Sequence, residues 1–393
     1  MMNVVFYRYG SIYEPDMLDA FKKAGLNVYE VTHEISDKSV TNSDRVRDLE
    51  DNINRYDPMF VYGINYYPAL AKLCNIHGVL YITQTVDSPV LTLFSDTIRL
   101  NTNRIFMFDR EQYNYFSRFS PDTVFHLPLA SAVGRFDKVI STINDDDRRK
   151  FGCDISFVGS TYREKDPYAD ISNLSDYTKG YVDALVDSCL KIYGYYPVRD
   201  AITERIISDF KQAAGQDFPT ADEIVTSSDA YVISHEYIGS HIAVIERERT
   251  LNTLARHFNV ELFTRSDTSS LKNVHIHEGV RTLDEMPKIF NLSKINLNMT
   301  MRPIESGLPL RCFDILGCGG FLMTNYQPEI EDMFIIGEDL EVYSSLDELT
   351  DKCAYYLEHE DERMRIARNG YEKVSSKYTH YHRMSEMLSS ILS

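Results

Sequence analysis

Residues 294–325 constrain the fold more tightly than any other stretch of this chain. An apolar strand over Ile295–Met299 runs into a loop shaped by Pro303, Gly307 and Pro309 that carries Glu305 and Arg311. A short helix over Leu310–Gly317 then brings Asp314 next to that loop, Gly319-Gly320 end the helix, and a second apolar strand, Phe321–Thr324, follows. Such a strand–loop–helix–strand unit gathers its polar groups at one end. In open α/β sheets ligands bind at the carboxyl ends of the strands, where helix N-termini supply unpaired N–H groups suited to phosphate.

The first 130 residues repeat this alternation. Val4–Tyr7, Val28–Val31, Met59–Gly63, Val79–Thr83, Arg104–Phe108 and Thr123–Leu127 read as short strands, separated by amphipathic stretches such as Pro15–Lys23 and Pro68–Ile76. The pattern implies a parallel sheet with right-handed crossovers. It breaks over Ser141–Arg149, a polar stretch suited to a linker or an exposed helix start, and resumes at Cys153–Ser160. Between about Ser172 and His257 the sequence is mostly helical. Strands return at Val260–Thr264, Val274–His277, Ile295–Met299 and Phe321–Thr324, and three helical segments follow Leu346. With 393 residues, two α/β domains are expected. The reading is an N-terminal domain over 1–140 and a C-terminal domain over 150–375 with a helical insert at about 172–257. A final helix over 376–393 is expected to pack back toward the first domain.

Charge and cysteine usage exclude several functions. With 41 basic and 59 acidic residues the net charge is −18, which disfavours nucleic acid and anionic membrane as partners. Any bound phosphate must be held by local donors working against that field. No long uncharged apolar run and no basic-apolar leader is evident, so a cytoplasmic protein without a transmembrane segment is expected. The six cysteines are scattered, with no CxxC pair and no accompanying histidine cluster; they read as reduced core residues.

Several strand ends carry polar groups. Arg311 offers a rigid fork of donors that suits a diphosphate, and Asp314, one turn into its helix, suits ribose hydroxyls; the alternative is an intrahelical ion pair at i,i+3. Glu305 is placed either on a sugar hydroxyl or in solvent. After Val158, Gly159 allows close backbone approach, Ser160 and Thr161 can donate to oxyanions, and Arg163 adds charge. Tyr9-Gly10-Ser11 follow the first strand, so their amides are candidates to face a cleft. Asp87, after the fourth strand, stands where a general base would, with a turn-forming role as competitor. His126 is a candidate substrate contact, while His275 and His277 read as structural. Asp145-Asp146-Asp147 follows no apolar strand that would hold it, so it reads as a solvated linker and no metal site is predicted.

These residues resemble a known family. Asn296-Leu297-Asn298, Pro309-Leu310-Arg311 and Phe313–Gly320 are similar to the C-terminal domain of CgeB-like (spore maturation protein type) glycosyltransferases of the GT-B superfamily, within the glycosyl transferases group 1. The segments Tyr343–Leu349, Arg363–Gly370 and Tyr378–Arg383 resemble that family's tail, and Asp154–Ser160 its domain entry. The resemblance implies a GT-B architecture, with two Rossmann-like domains facing a cleft, the second binding a nucleotide-sugar donor and the first the acceptor. It implies a hexosyltransferase-type enzyme that needs no metal or other cofactor, a UDP-sugar as donor, and a carbohydrate or glycoprotein acceptor. A homodimer is among the expected forms.

By the same resemblance Gly279-Val280-Arg281 lie against the nucleobase. In related retaining enzymes a Glu-x7-Glu motif bridges this loop and helix; here Asp314 takes the second place, while the first falls on Ser306, with Glu305 one residue off. The expected function is therefore sugar transfer from a nucleotide diphosphate sugar to an acceptor hydroxyl. Asp87 and Arg311 are its catalytic candidates. Gly159, Ser160, Arg163, Gly279, Val280, Arg281, Glu305, Arg311 and Asp314 are donor candidates, and Tyr9, Gly10, Ser11 and His126 line the acceptor side. A non-catalytic carbohydrate-binding or assembly protein, or a nucleotide-sugar epimerase on the same fold, are the alternatives.

Overall fold

A computed structural model describes residues 2–220 and 224–392. The chain forms two compact units: Met1–Ala130 with Thr220–Ser228 and Tyr378–Ser393, and Ser131–Pro219 with Asp229–Lys377. Among the described residues no helix is long and apolar enough to cross a membrane.

The first unit is built on six parallel strands, β1 (Asn3–Tyr7), β2 (Asn27–Val31), β3 (Phe60–Ile64), β4 (Leu80–Gln84), β5 (Asn103–Met107) and β6 (Val124–His126), in the order β2-β1-β3-β4-β5-β6. Strand β3 is buried at every position and β1 at four of five. That is the near-continuous apolar reading of a strand covered on both faces. Helices Glu14–Lys23, Asn42–Tyr56 and Pro68–His77 supply the crossovers. The C-terminal helix His380–Leu392 packs on Glu14–Lys23, with the rings of Tyr13 and His380 4.4 Å apart. The segment around Ile224 also belongs to this unit: it bridges Ser95, and the Val225 N–H donates to the Phe94 carbonyl (2.8 Å).

The second unit holds β7 (Cys153–Val158), β8 (Val260–Thr264), β9 (His275–Glu278), β10 (Ser293–Asn298), β11 (Leu322–Asn325) and β12 (Glu341–Tyr343), parallel throughout, in the order β12-β11-β10-β7-β8-β9. Counting its strands from β7, this is the doubly wound order 3-2-1-4-5-6 read from the other edge. Ile155, Leu262, Ile295, Leu297 and Met323 fill the core between sheet and helices. The short strand β12 went unread in the sequence because three residues carry too little periodicity. The polar stretch at 141–149 is a helix start rather than a linker. Asn144 caps helix Asp145–Phe151 by accepting from the Asp146 and Asp147 amides (2.9 and 3.0 Å), and the Asp147 carboxylate returns the bond to the Asn144 N–H. Asp145-Asp146-Asp147 thus sit where a helix dipole favours negative charge.

Five of the six cysteines are buried and all are free. Burial pushes the Cys312 thiol up to about 12 and that of Cys153 to about 11, so both stay protonated and unreactive.

Candidate functional site

In each sheet the strand order reverses once, leaving a crevice beyond the carboxyl ends where neighbouring crossovers diverge to opposite faces. In the second unit that point lies between β7 and β10, and a residue absent from the sequence reading occupies it. Arg247, from helix Gly239–Leu254, is 8% exposed. Its Nη1 donates to the Ser160 carbonyl (2.6 Å) just after β7, and its Nη2 to the Met299 carbonyl (3.1 Å) just after β10. The guanidinium lies 4.3 Å from the ring centroid of Tyr162, a residue in left-handed conformation (φ 68°). No carboxylate pairs with Arg247 among the described residues, and burial works against its charge. A desolvated cation held by carbonyls and an aromatic ring, with no carboxylate in contact among the described residues, is costly to keep.

The neighbouring Arg302 is managed differently. It too is buried, but it forks onto the Glu246 carboxylate (2.6 and 3.2 Å). That pair closes on itself; Arg247 does not.

The expected donor residues fall into separate groups within the second unit. Ser160 Oγ accepts from the Tyr162 N–H (2.8 Å) and Ser266 Oγ (2.9 Å) and donates to Glu164 (3.0 Å). Arg163 is partly exposed and paired with Glu248 (2.7 Å). At Gly159 a Cβ would stand 3.2 Å from the Phe157 ring. Arg311 meets Asp314 at 3.3 Å, one turn along helix Leu310–Gly317, whose N-terminus has no side-chain cap. Arg281 is exposed and forked onto Asp284, with its N–H on Glu285 (3.0 Å), while Gly279 lies under the Arg265 side chain and Val280 is half-buried. His275 and His277 both hydrogen-bond to Glu261.

Glu305 gathers a group that no sequence spacing announced. His235, fully buried on the π-helical stretch Val232–Ile238, meets Glu305 Oε1 through Nε2 (3.2 Å) and Ser234 Oγ through Nδ1 (2.8 Å). Arg199 lies 3.7 Å from the same carboxylate. Ser306, at the first place of the familiar motif, donates to Glu329 (2.7 Å). Burial lowers the proton affinity of His235, with Glu305 opposing.

In the first unit the reversal lies between β1 and β3. The Tyr9 and Gly10 amides there are taken by the fully buried Glu14 carboxylate (2.9 and 3.1 Å), which also accepts from Arg8. Those N–H groups are therefore already satisfied and do not face a ligand, whereas the Tyr9 side chain meets Asn65. Its hydroxyl accepts from Asn65 Nδ2 (3.1 Å), and the same amide donates to Asp87 (2.7 Å). Desolvation, and next Asp87, hold the Tyr9 phenol well above its usual range. Ser11 Oγ accepts from the Tyr13 N–H. His126 ends β6, two strands from β4, which at ordinary strand spacing is roughly 10 Å from the Asp87 strand.

Residues 247–389 match the sequence model of the family described as "Glycosyl transferase-like". No curated protein matches the chain. Among solved structures, HepE of Anabaena, crystallised with UDP and glucose, aligns over 99% of this chain and 100% of its own at 10% identity and TM-score 0.56. Sucrose-phosphate synthase of Thermosynechococcus elongatus aligns over 100% and 99% at 9% identity and TM-score 0.55. UDP-GlcNAc 2-epimerase of Neisseria meningitidis, bound to UDP-GlcNAc, does so over 100% and 99% at 10% identity and TM-score 0.51. Two doubly wound parallel sheets and this whole-length likeness give the chain the GT-B fold of two Rossmann-like domains, with a glycosyl transferase-like sequence over residues 247–389.

Proposed function

We propose that this protein is a glycosyltransferase that moves a sugar, of hexose type, from a nucleoside diphosphate sugar to an acceptor hydroxyl without a metal. The observation that carries the reading is Arg247, a buried cation with no carboxylate in contact among the described residues, set across the carboxyl ends of β7 and β10. A diphosphate supplies the missing countercharge, and the departing diphosphate of sugar transfer needs that charge most. Arg163 and Arg311 already have carboxylate partners, so each serves a diphosphate only by sharing its donors. Arg311 and the uncapped N-terminus of its helix back Arg247 up, Asp314 takes the ribose and Gly279–Arg281 the base. Glu305 meets a sugar hydroxyl, and Asp87 of the first unit receives the acceptor. HepE was crystallised with UDP-glucose, which supports a UDP-sugar as donor; a saccharide hydroxyl is the acceptor that best fits the reading.

The epimerase among the structural neighbours gives a second reading a foothold, and product analysis separates the two. Transfer or hydrolysis accumulates free nucleoside diphosphate; epimerisation leaves it attached to sugar. The test is thermal stabilisation by UDP and UDP-glucose, repeated with Arg247→Lys and Arg247→Ala after circular dichroism confirms their fold. We expect both variants to bind UDP at least about tenfold more weakly, the cost of one charge-assisted contact. Indifference of the unaltered protein to every nucleotide would sink the reading.

A further inference from the structure

The strand reversal of the first unit puts Tyr9 after β1 and Asn65 after β3, and Asn65 is bonded at every polar atom. Its backbone is left-handed (φ 58°), a region asparagine enters more readily than most residues. The Asn65 N–H donates to the Gln84 carbonyl (2.8 Å), and its own carbonyl accepts from the Thr83 hydroxyl. In the side chain, Oδ1 accepts from the Val86 N–H (3.0 Å), while Nδ2 donates to Asp87 Oδ2 (2.7 Å) and Tyr9 Oη (3.1 Å). The amide's orientation is dictated by its neighbours, because an N–H can only donate and a carboxylate can only accept.

Asp87 itself is exposed, and among the described residues its Oδ1 has no hydrogen-bond partner. One carboxylate oxygen is pinned and the other open. An exposed aspartate left alone samples several rotamers; here the amide selects one and ties it to Tyr9.

Resting on the glycosyl-transfer reading, we infer that Asn65 is the positioning residue for Asp87, holding its carboxylate so that Oδ1 accepts the acceptor's proton. In the step, the acceptor O–H proton passes to Asp87 Oδ1 and the freed oxygen pair forms the bond to the anomeric carbon. The bond from that carbon to the diphosphate oxygen breaks, its electron pair leaving with the nucleoside diphosphate. Asp87 then returns the proton to water.

Two substitutions test this without relying on a fragile fold. Asn65→Gly suits φ 58° at least as well as asparagine, so the backbone survives while the amide is lost. Asn65→Asp keeps shape but sets a second carboxylate against Asp87, and two carboxylates in contact share a proton, raising one affinity. The readout is UDP release from UDP-glucose, with glucose, a disaccharide or water as acceptor, across pH 4–9. For Asn65→Gly we expect kcat to fall about 10–100-fold while KM for UDP-glucose changes less than about twofold. For Asn65→Asp we expect the acid limb of the pH profile to move to higher pH. An unchanged kcat in the glycine variant, or an unmoved acid limb in the aspartate variant, overturns the assignment and leaves the donor reading standing. An unaltered protein that releases diphosphate from no nucleotide sugar takes down both.

Discussion

At the residue scale the arginines separate by their partners. Arg163, Arg281, Arg302 and Arg311 each face a carboxylate, whereas Arg247 rests on two carbonyls and an aromatic ring, with no carboxylate in contact among the described residues. The Arg311–Asp314 pairing was legible because i,i+3 neighbours on a helix must meet. Arg247 was not, because it stands 87 residues from Ser160 and 52 from Met299, and the run Glu246-Arg247-Glu248-Arg249 reads as a solvated helix face. His235 was hidden for the same reason, 70 residues from Glu305. Its burial makes a testable claim about pH. Folded His235 binds protons more weakly than in the unfolded chain, where the usual value is about 6.5. As pH falls below that value the unfolded state takes up the proton first, so stability declines from there down to the lower folded value. In thermal melts we expect His235→Gln to lose less stability between pH 7 and pH 5 than the unaltered protein. An equal or larger loss would mean that Glu305 and Arg199 do not face a neutral imidazole.

At the element scale, the long strands and amphipathic helices were readable, and most of them stand within two residues of where periodicity put them. Junctions were harder. Gly319 (φ 69°) ends helix Leu310–Gly317, as its lack of a side chain suggested, and a Cβ on Gly320 would lie 2.5 Å from the Phe290 carbonyl. By contrast, the three aspartates at 145–147 looked like a linker because charge alone does not distinguish a loop from the first turn of a helix. The Asn144–Asp147 capping box decides between them. Lys288, 141 residues on, then pairs with Asp147 (2.8 Å). We expect Asn144→Ala to cost about 1 kcal/mol, seen as a lower urea midpoint at unchanged slope; a change under about 0.3 kcal/mol would mean that the cap is replaced by water. The π-helical stretch that presents His235 had no sequence signal, since one widened turn leaves the apolar pattern nearly intact.

At the scale of the whole molecule, the first unit is completed by chain that is remote in sequence. Helix His380–Leu392 buries His380, Arg383, Met384 and Met387 and covers helix Glu14–Lys23 beside the fully buried Tyr13. Ending the chain after Lys377 should therefore expose that apolar face and lower the melting temperature of the first unit. Hydrogen exchange should show helix Glu14–Lys23 losing protection while β8 and β11 keep theirs; unchanged protection of Glu14–Lys23 would refute this. What the sequence by itself determined is local in origin: period-two and helical apolar patterns, turn residues and caps specify two runs of parallel strands and crossover helices, and hence the strand ends where Ser160, Arg311, Asp314, Tyr9 and Asp87 stand. Only the tertiary structure decided which strands became neighbours, and with that the two reversal points. Arg247 spans one of them and Asn65 bridges the other to Asp87. Both depend on non-local pairing, whose closure entropy is met by burial of the assembled core rather than by any short stretch of residues.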